Sequence, residues 1–162
     1  MRYAVAFLAV VIAAAGAVLY LEDAKPGWYG RIRYPLEYQT IIKGHAKNYD
    51  LDPALLAAVI YRESKFDKNA KSSSGAIGLM QLLPDTAEGI ALHTGGHKFV
   101  VSDLYDPEIN IRYGSFYLRR LIRKYGDTRL ALAAYNAGQA NVDEVLELRD
   151  VYARSYKDEL GL

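Results

Sequence analysis

Glu63 is the side chain in this sequence best placed to move a proton. It closes a breaker-free run from Ala54 to Ser64, and at helical spacing it shares a stripe with Leu56, Val59 and Ile60. A carboxyl held against an apolar face loses solvation, which disfavours the ionised form, so its pKa is expected to rise and the group to keep a proton near neutral pH. Such a group can serve as a general acid. A structural reading competes with this one, because a glutamate in the last turn of a helix can also bend outward and pair with Lys65 or Lys68 in solvent. Other candidate chemistry is thinner. The stretch His93-Thr94-Gly95-Gly96-His97 offers two imidazoles, but the glycines between them and the want of a third ligand at metal-site spacing read as a surface loop rather than a zinc site. His45 falls on the apolar face of a helix and reads as a packed core histidine.

Composition removes several classes of function. The 162-residue chain has no cysteine, which excludes disulfides, thiolate metal sites and a cysteine nucleophile. Its formal net charge of +1, with no Lys/Arg-rich tract, gives no field for nucleic acid. No motif implies a metal, nucleotide or organic cofactor. The 14 tyrosines suit either a half-polar core or a groove that stacks on sugar rings, and the core is the expected use.

The elements that must hold Glu63 follow from the caps. Asp52 is an N-cap and Pro53 fits the first helical position, where no amide donor is needed. An amphipathic helix is expected before it, from about Pro35 to Tyr49. After it, Lys65 to Gly75 is a loop by composition, and Gly78-Leu79-Met80-Gln81 leads to a helix opened by Pro84 and Asp85 that ends near Leu92. Asp106 and Pro107 repeat the opening for a long helix that Gly126 ends as a C-cap. Asp127 or Thr128 caps a helix from Arg129 to about Asn136, stopped by Gly138, and short helices over Asn141 to Leu148 and Tyr152 to Leu160 finish the chain. No stretch alternates with period two, so the domain is expected to be almost entirely helical.

Tyr3 to Leu21 is an unbroken apolar run just long enough to span a bilayer. It continues through Val18, Leu19 and Leu21, past Ala13-Ala14-Ala15 and Ala15-Gly16-Ala17, the two places that read as a signal-peptidase site. An uncleaved anchor is therefore expected, with Trp28 and Tyr29 at the interface. Lys25, Arg31 and Arg33 outnumber the positive charges before the run, so charge alone does not set its orientation. The expected partition is residues 1–21 as anchor, 22–33 as linker and 34–162 as one catalytic domain.

Several motifs carry a resemblance in order and spacing. Glu63-Ser64, Ser72 to Gln81, Pro84-Asp85-Thr86-Ala87, Asn110-Ile111 with Gly114, and Ala134-Tyr135-Asn136-Ala137-Gly138 resemble the catalytic domain of the soluble-type lytic transglycosylases, which share the goose-type lysozyme fold. The resemblance implies an all-α, lysozyme-like domain with a substrate cleft, preceded by one transmembrane helix. It implies cleavage of the β-1,4 bond between N-acetylmuramic acid and N-acetylglucosamine in peptidoglycan without water, leaving a 1,6-anhydro end, with the domain on the cell-wall side of the membrane. Glu63 matches the family's single acid/base. Ser72, Ser74, Gln81 and Tyr135 match positions near the substrate or the catalytic carboxyl, and Gly75, Gly78, Met80 and Asn136 match structural positions around the site. The segment after Gly138 departs from the family pattern, having no proline. A hydrolytic muramidase and a non-catalytic glycan-binding protein on the same fold are the alternatives.

Overall fold

The structure is a computed structural model, and it describes residues 2–94, 96, 98–135 and 139–162, with the side chains of 139–141 also outside the description. The expectations placed on Gly95, His97, Asn136 and Gly138 lie outside the described residues.

Among the described residues the order is α1 (Arg2–Ala24), α2 (Gly27–Arg33), α3 (Gln39–Tyr49), α4 (Pro53–Ser64), α5 (Pro84–Thr94), a 3-10 turn (Val101–Tyr105), α6 (Pro107–Tyr125), α7 (Thr128–Tyr135), α8 (Gln139–Ser155) and α9 (Lys157–Leu160). Two isolated antiparallel bridges, Lys71 with Ile77 and Ile77 with Leu82, are the only extended pairing among them. The domain is all-α, as expected.

The centre is α4. Asp52 caps it by accepting from the Ala54 amide at 2.8 Å, Pro53 occupies its first turn, and every residue from Ala54 to Ile60 is buried. A helix without a polar face has to be enclosed on all sides. Here α8 and α3 pack against it, and Ile111 and Leu118 of α6 join the same core. Tyr61, Phe66, Tyr152 and Tyr156 form a ring cluster with edge, tilted and stacked contacts at 5.8–6.3 Å between centroids. Tyr113 and Tyr152 are among the largest fully buried side chains, so part of the tyrosine content serves the core. His45 is also buried and bonds Glu108 through Nε2 at 2.8 Å.

Four boundaries differ from the sequence reading. Tyr38 takes a left-handed conformation with φ 52°, so α3 starts at Gln39 rather than near Pro35. Gly27–Arg33 is helical where a linker was expected, because its glycines let it lie directly on α8. The two short C-terminal helices are largely one, since Arg149, Asp150 and Val151 contain no breaker and α8 runs through them to Ser155. At the far end α5 continues to Thr94, whose hydroxyl bonds the Ile90 carbonyl at 2.9 Å.

The loop that carries Gly78 to Gln81 is pinned from below by α6. Asn110 is fully buried; its Oδ1 accepts from the Met80 amide at 2.8 Å, while its Nδ2 donates to the carbonyls of Ile77 at 3.0 Å and Leu104 at 2.8 Å. Asp106 caps α6 by accepting from the amides of Glu108 and Ile109, which fixes where Asn110 emerges.

Asn110→Ala should therefore strand the buried Met80 amide and the Leu104 carbonyl, leave the Ile77 carbonyl with the Leu82 amide alone, and cost about 3 kcal/mol in urea denaturation. A loss below about 1 kcal/mol would contradict the pinning role. A second prediction concerns alkaline pH. Tyr152 is buried and donates to the Pro35 carbonyl at 3.1 Å, and burial pushes its phenol well above the ordinary range. The folded state holds that proton more tightly than the unfolded chain does. Its contribution is thus complete below the ordinary tyrosine pKa of about 10 and is lost as pH rises from there toward the folded value. Stability measured against pH should fall above about 10, and less steeply in Tyr152→Phe.

Candidate active site

Glu63 stands half-buried in the last turn of α4, at the wall of a cavity of about 310 Å³ that is also lined by Ser72, Ser74, Gln81, Leu83 and Tyr135. Hollows of 400 and 450 Å³ lie elsewhere on the surface, but neither touches Glu63. The helix end is fixed twice: Lys65 caps α4 in a left-handed conformation, and the Ser64 hydroxyl bonds the carbonyls of Ile60 at 3.2 Å and Leu79 at 2.9 Å. The second bond ties the end of α4 directly to the Gly78–Gln81 loop. Glu63 is the only carboxylate among the described residues that line this cavity.

The serine loop opposes it. Ser72 Oγ accepts from the Ala76 amide at 3.0 Å and lies 2.9 Å from Ser74 Oγ, while backbone bonds from Ser72 to Ala76 and from Gly75 to Ser72 close the turn. Gly75 adopts φ +87° with open space around it, so the turn needs its conformational freedom rather than its small size. Gly78 needs both. It sits at φ +79°, and a Cβ there would come within 2.3 Å of Asn110 Nδ2 and of the Leu104 carbonyl. The close approach at Gly78 is thus made inward, onto Asn110 of α6 and the 3-10 turn.

Gln81 lines the cavity at φ 48°, and its Nε2 donates to the Ala70 carbonyl at 3.2 Å and the Gly78 carbonyl at 2.9 Å. Its amide nitrogen staples the loop as well as facing the cleft. Met80 is buried, with its side chain filling the space over Gly114, where a Cβ would fall 2.2 Å from the sulfur. Tyr135, at the end of α7, turns part of its ring to the cleft while its hydroxyl donates to the Met80 carbonyl at 2.8 Å. Enclosure of that hydroxyl, and next the negative charge of Glu63, hold its proton well above the ordinary range. The Tyr117 ring packs on Tyr135 at 5.4 Å and also lines a hollow of about 350 Å³ between α5 and α6, so a concave surface continues beyond the cleft.

The structure therefore brings Glu63, Ser72, Ser74, Gln81 and Tyr135 together at one cavity. Gly78 and Met80 lie in the loop behind it. Asp67, the acid nearest Glu63 in sequence, is exposed and accepts from the Asn69 amide at 2.8 Å, a loop-stabilising role. Asn110 was legible only as part of a motif. The physical signal was an amide on the buried stripe of α6 beside Ile111, Gly114 and Leu118, where an amide has to find partners.

A model of the transglycosylase SLT domain matches residues 40–157. A transglycosylase of Enterobacteria phage PRD1 is 39% identical over 65% of this chain and 37% of its own length. Membrane-bound lytic murein transglycosylase F of Yersinia pestis is 38% identical over 65% of this chain and 21% of its own. Among solved structures, an inactive mutant of the lytic transglycosylase Slt from Pseudomonas aeruginosa superposes with a TM-score of 0.64 at 31% identity, covering 90% of this chain and 25% of that one. The chain spans between 17% and 37% of the length of the curated relatives it matches. The family model takes in both α4 with its glutamate and α8 behind it, and the chain belongs to the transglycosylase SLT domain family.

Proposed function

We propose that this protein is a lytic transglycosylase acting on the glycan strands of peptidoglycan, with Glu63 as acid and then base. The observation that carries the reading is the single carboxylate in the cleft. Glycosidases that use water or a covalent intermediate pair two carboxyl groups across the scissile bond. A site with only one suits a reaction in which the substrate supplies the nucleophile. In the proposed cycle the Glu63 carboxylic acid gives its proton to the glycosidic oxygen, the bond from that oxygen to the muramic anomeric carbon breaks, and its electron pair leaves with the N-acetylglucosamine hydroxyl. The neighbouring acetamido oxygen supports the oxocarbenium-like centre. The Glu63 carboxylate then takes the proton of the 6-hydroxyl as that oxygen bonds the anomeric carbon. The acid is regenerated, no water is consumed, and one chain end is a 1,6-anhydro sugar.

Tyr135 has a defined part in this scheme. Its one proton is committed to the Met80 carbonyl, and burial, with the Glu63 charge second, opposes phenolate formation, so the hydroxyl stays neutral. It anchors the loop and turns lone pairs toward the cleft. Ser72, Ser74 and Gln81 would meet the sugars on the opposite wall. The proposed partition keeps residues 1–21 as anchor and 34–162 as the catalytic unit. Because the substrate lies outside the membrane, the catalytic unit is placed on the extracytoplasmic side, held by α1, which is long and apolar enough to cross a membrane.

Incubating the purified protein with peptidoglycan and identifying released muropeptides by mass spectrometry tests the reading. Anhydro products are expected, reduced about 10²–10⁴-fold in Glu63→Gln. Products carrying an added water would replace the proposal with a muramidase. Tyr135→Phe should lower kcat by about tenfold with KM nearly unchanged, equivalent to about 1.4 kcal/mol in the transition state. An equal loss in binding alone would show that Tyr135 serves the substrate rather than the loop and carboxyl.

A further inference from the structure

We propose that α2 is a collar lying in the lipid headgroup layer, with Trp28 and Ile32 facing the bilayer, and that its clamp onto α8 holds the catalytic domain in one orientation above the membrane. The proposal rests on the reading of α1 as a membrane anchor. Only Lys25 and Pro26 separate the end of α1 from the start of α2, so α2 has to lie within a few residues of the hydrocarbon boundary. Trp28 and Ile32, four residues apart and on one face, are 59% and 75% exposed. An amphipathic aromatic and an aliphatic side chain at that depth are what an interface takes up.

The opposite face of α2 is spent on the protein. Gly30 is buried, and a Cβ on it would come within 2.1 Å of Ser155 Oγ and 3.0 Å of the Val151 side chain. Gly27 likewise meets the backbone of Arg154 and Ser155. Tyr156 donates to the carbonyls of Arg31 at 3.2 Å and Tyr34 at 3.0 Å, and the Arg31 guanidinium lies 4.8 Å above its ring while pairing with Glu159. At the corner, Tyr29 bonds Glu22 of α1 and Lys25 reaches Glu147 of α8 at 3.0 Å. Each exposed ion pair contributes little alone. The glycine contacts and the Tyr156 bonds set the geometry, because backbone meets backbone or side chain with no room to slide. A continuous path of packed elements then runs from α2 through α8 to α4 and Glu63, with α1 joined to α2 through Lys25-Pro26 and the Tyr29–Glu22 bond. The glycan cleft is thereby held at a fixed height and angle rather than swung on a tether.

The sequence makes this measurable, since Trp28 is the sole tryptophan and there is no native cysteine. The full chain would be reconstituted into phospholipid vesicles. Flotation after an alkaline carbonate wash first tests α1 as an anchor; a chain that does not float ends both readings. In a chain that floats, Trp28 emission should be blue-shifted, shielded from aqueous iodide and mostly lost in lipids brominated near the top of the acyl chain. Quenching by iodide but not by bromolipid would overturn the collar and leave the anchor standing. Shielding that grows with the protein-to-lipid ratio and ignores bromolipid would mean a second copy covers the face, and would also overturn it. Spin labels at Ala24→Cys and Glu88→Cys should give one narrow distance distribution, broadened by Gly30→Leu. A distribution already broad in the parent would overturn the clamp.

Discussion

Three hydrogen bonds from one buried amide hold the floor of this site. Asn110 meets the Met80 amide and the carbonyls of Ile77 and Leu104 with all of its short-range geometry used, and no apolar side chain of similar size could satisfy those groups. The loop above has little regular structure of its own, only two isolated bridges, and the Met80 amide, which those turns leave over, takes its partner from α6. Gly78 has to be glycine because the amide and the Leu104 carbonyl stand where a Cβ would go. The position of Met80 then sets the acceptor for Tyr135, and the Leu79 carbonyl sets the acceptor for Ser64 at the end of α4. The acid, the tyrosine and the loop are located by the same few bonds.

That arrangement explains how a carboxyl group is offered to solvent without losing its place. α4 is enclosed as far as Ile60, while Glu63, one turn later, reaches the cleft half-buried. Its backbone is therefore as rigid as the core. Rigidity of this kind supplies orientation, which a proton relay to and from one substrate atom after another requires. The serine wall is different in character, a short turn closed by Ser72 and Gly75, so the cleft joins a helix-built side that carries Glu63 to a loop-built side.

The same economy extends to the scaffold. α8 packs on α4 on one side and receives α2 on the other, so the helix that supports α4 and Glu63 also faces the segment that follows α1. The ring cluster of Tyr61, Phe66, Tyr152 and Tyr156 sits where these elements meet, and the hydroxyls at its edge satisfy carbonyls in the 31–35 segment. Tyrosine suits such a seam because one end packs and the other bonds.

Caps, prolines and apolar spacing in the sequence were enough to determine α4, α6 and the all-helical class, because Asp52-Pro53 and Asp106-Pro107 act through contacts within a few residues. Glu63 stood out for the same local reason, a charge on an apolar stripe. What the tertiary structure decided were matters of long-range partnership. The glycine-lined face of α2, the inward turn of Gly78 and the committed hydroxyl of Tyr135 each answer to a residue between about 30 and 125 positions away, such as Asn110 for Gly78, Met80 for Tyr135 or Ser155 for Gly30. Local physics chooses helices and their ends. Which polar group meets which across the core depends on how those helices stack, and only folding brings the Asn110 and Tyr135 side chains within hydrogen-bonding distance of the Met80 backbone.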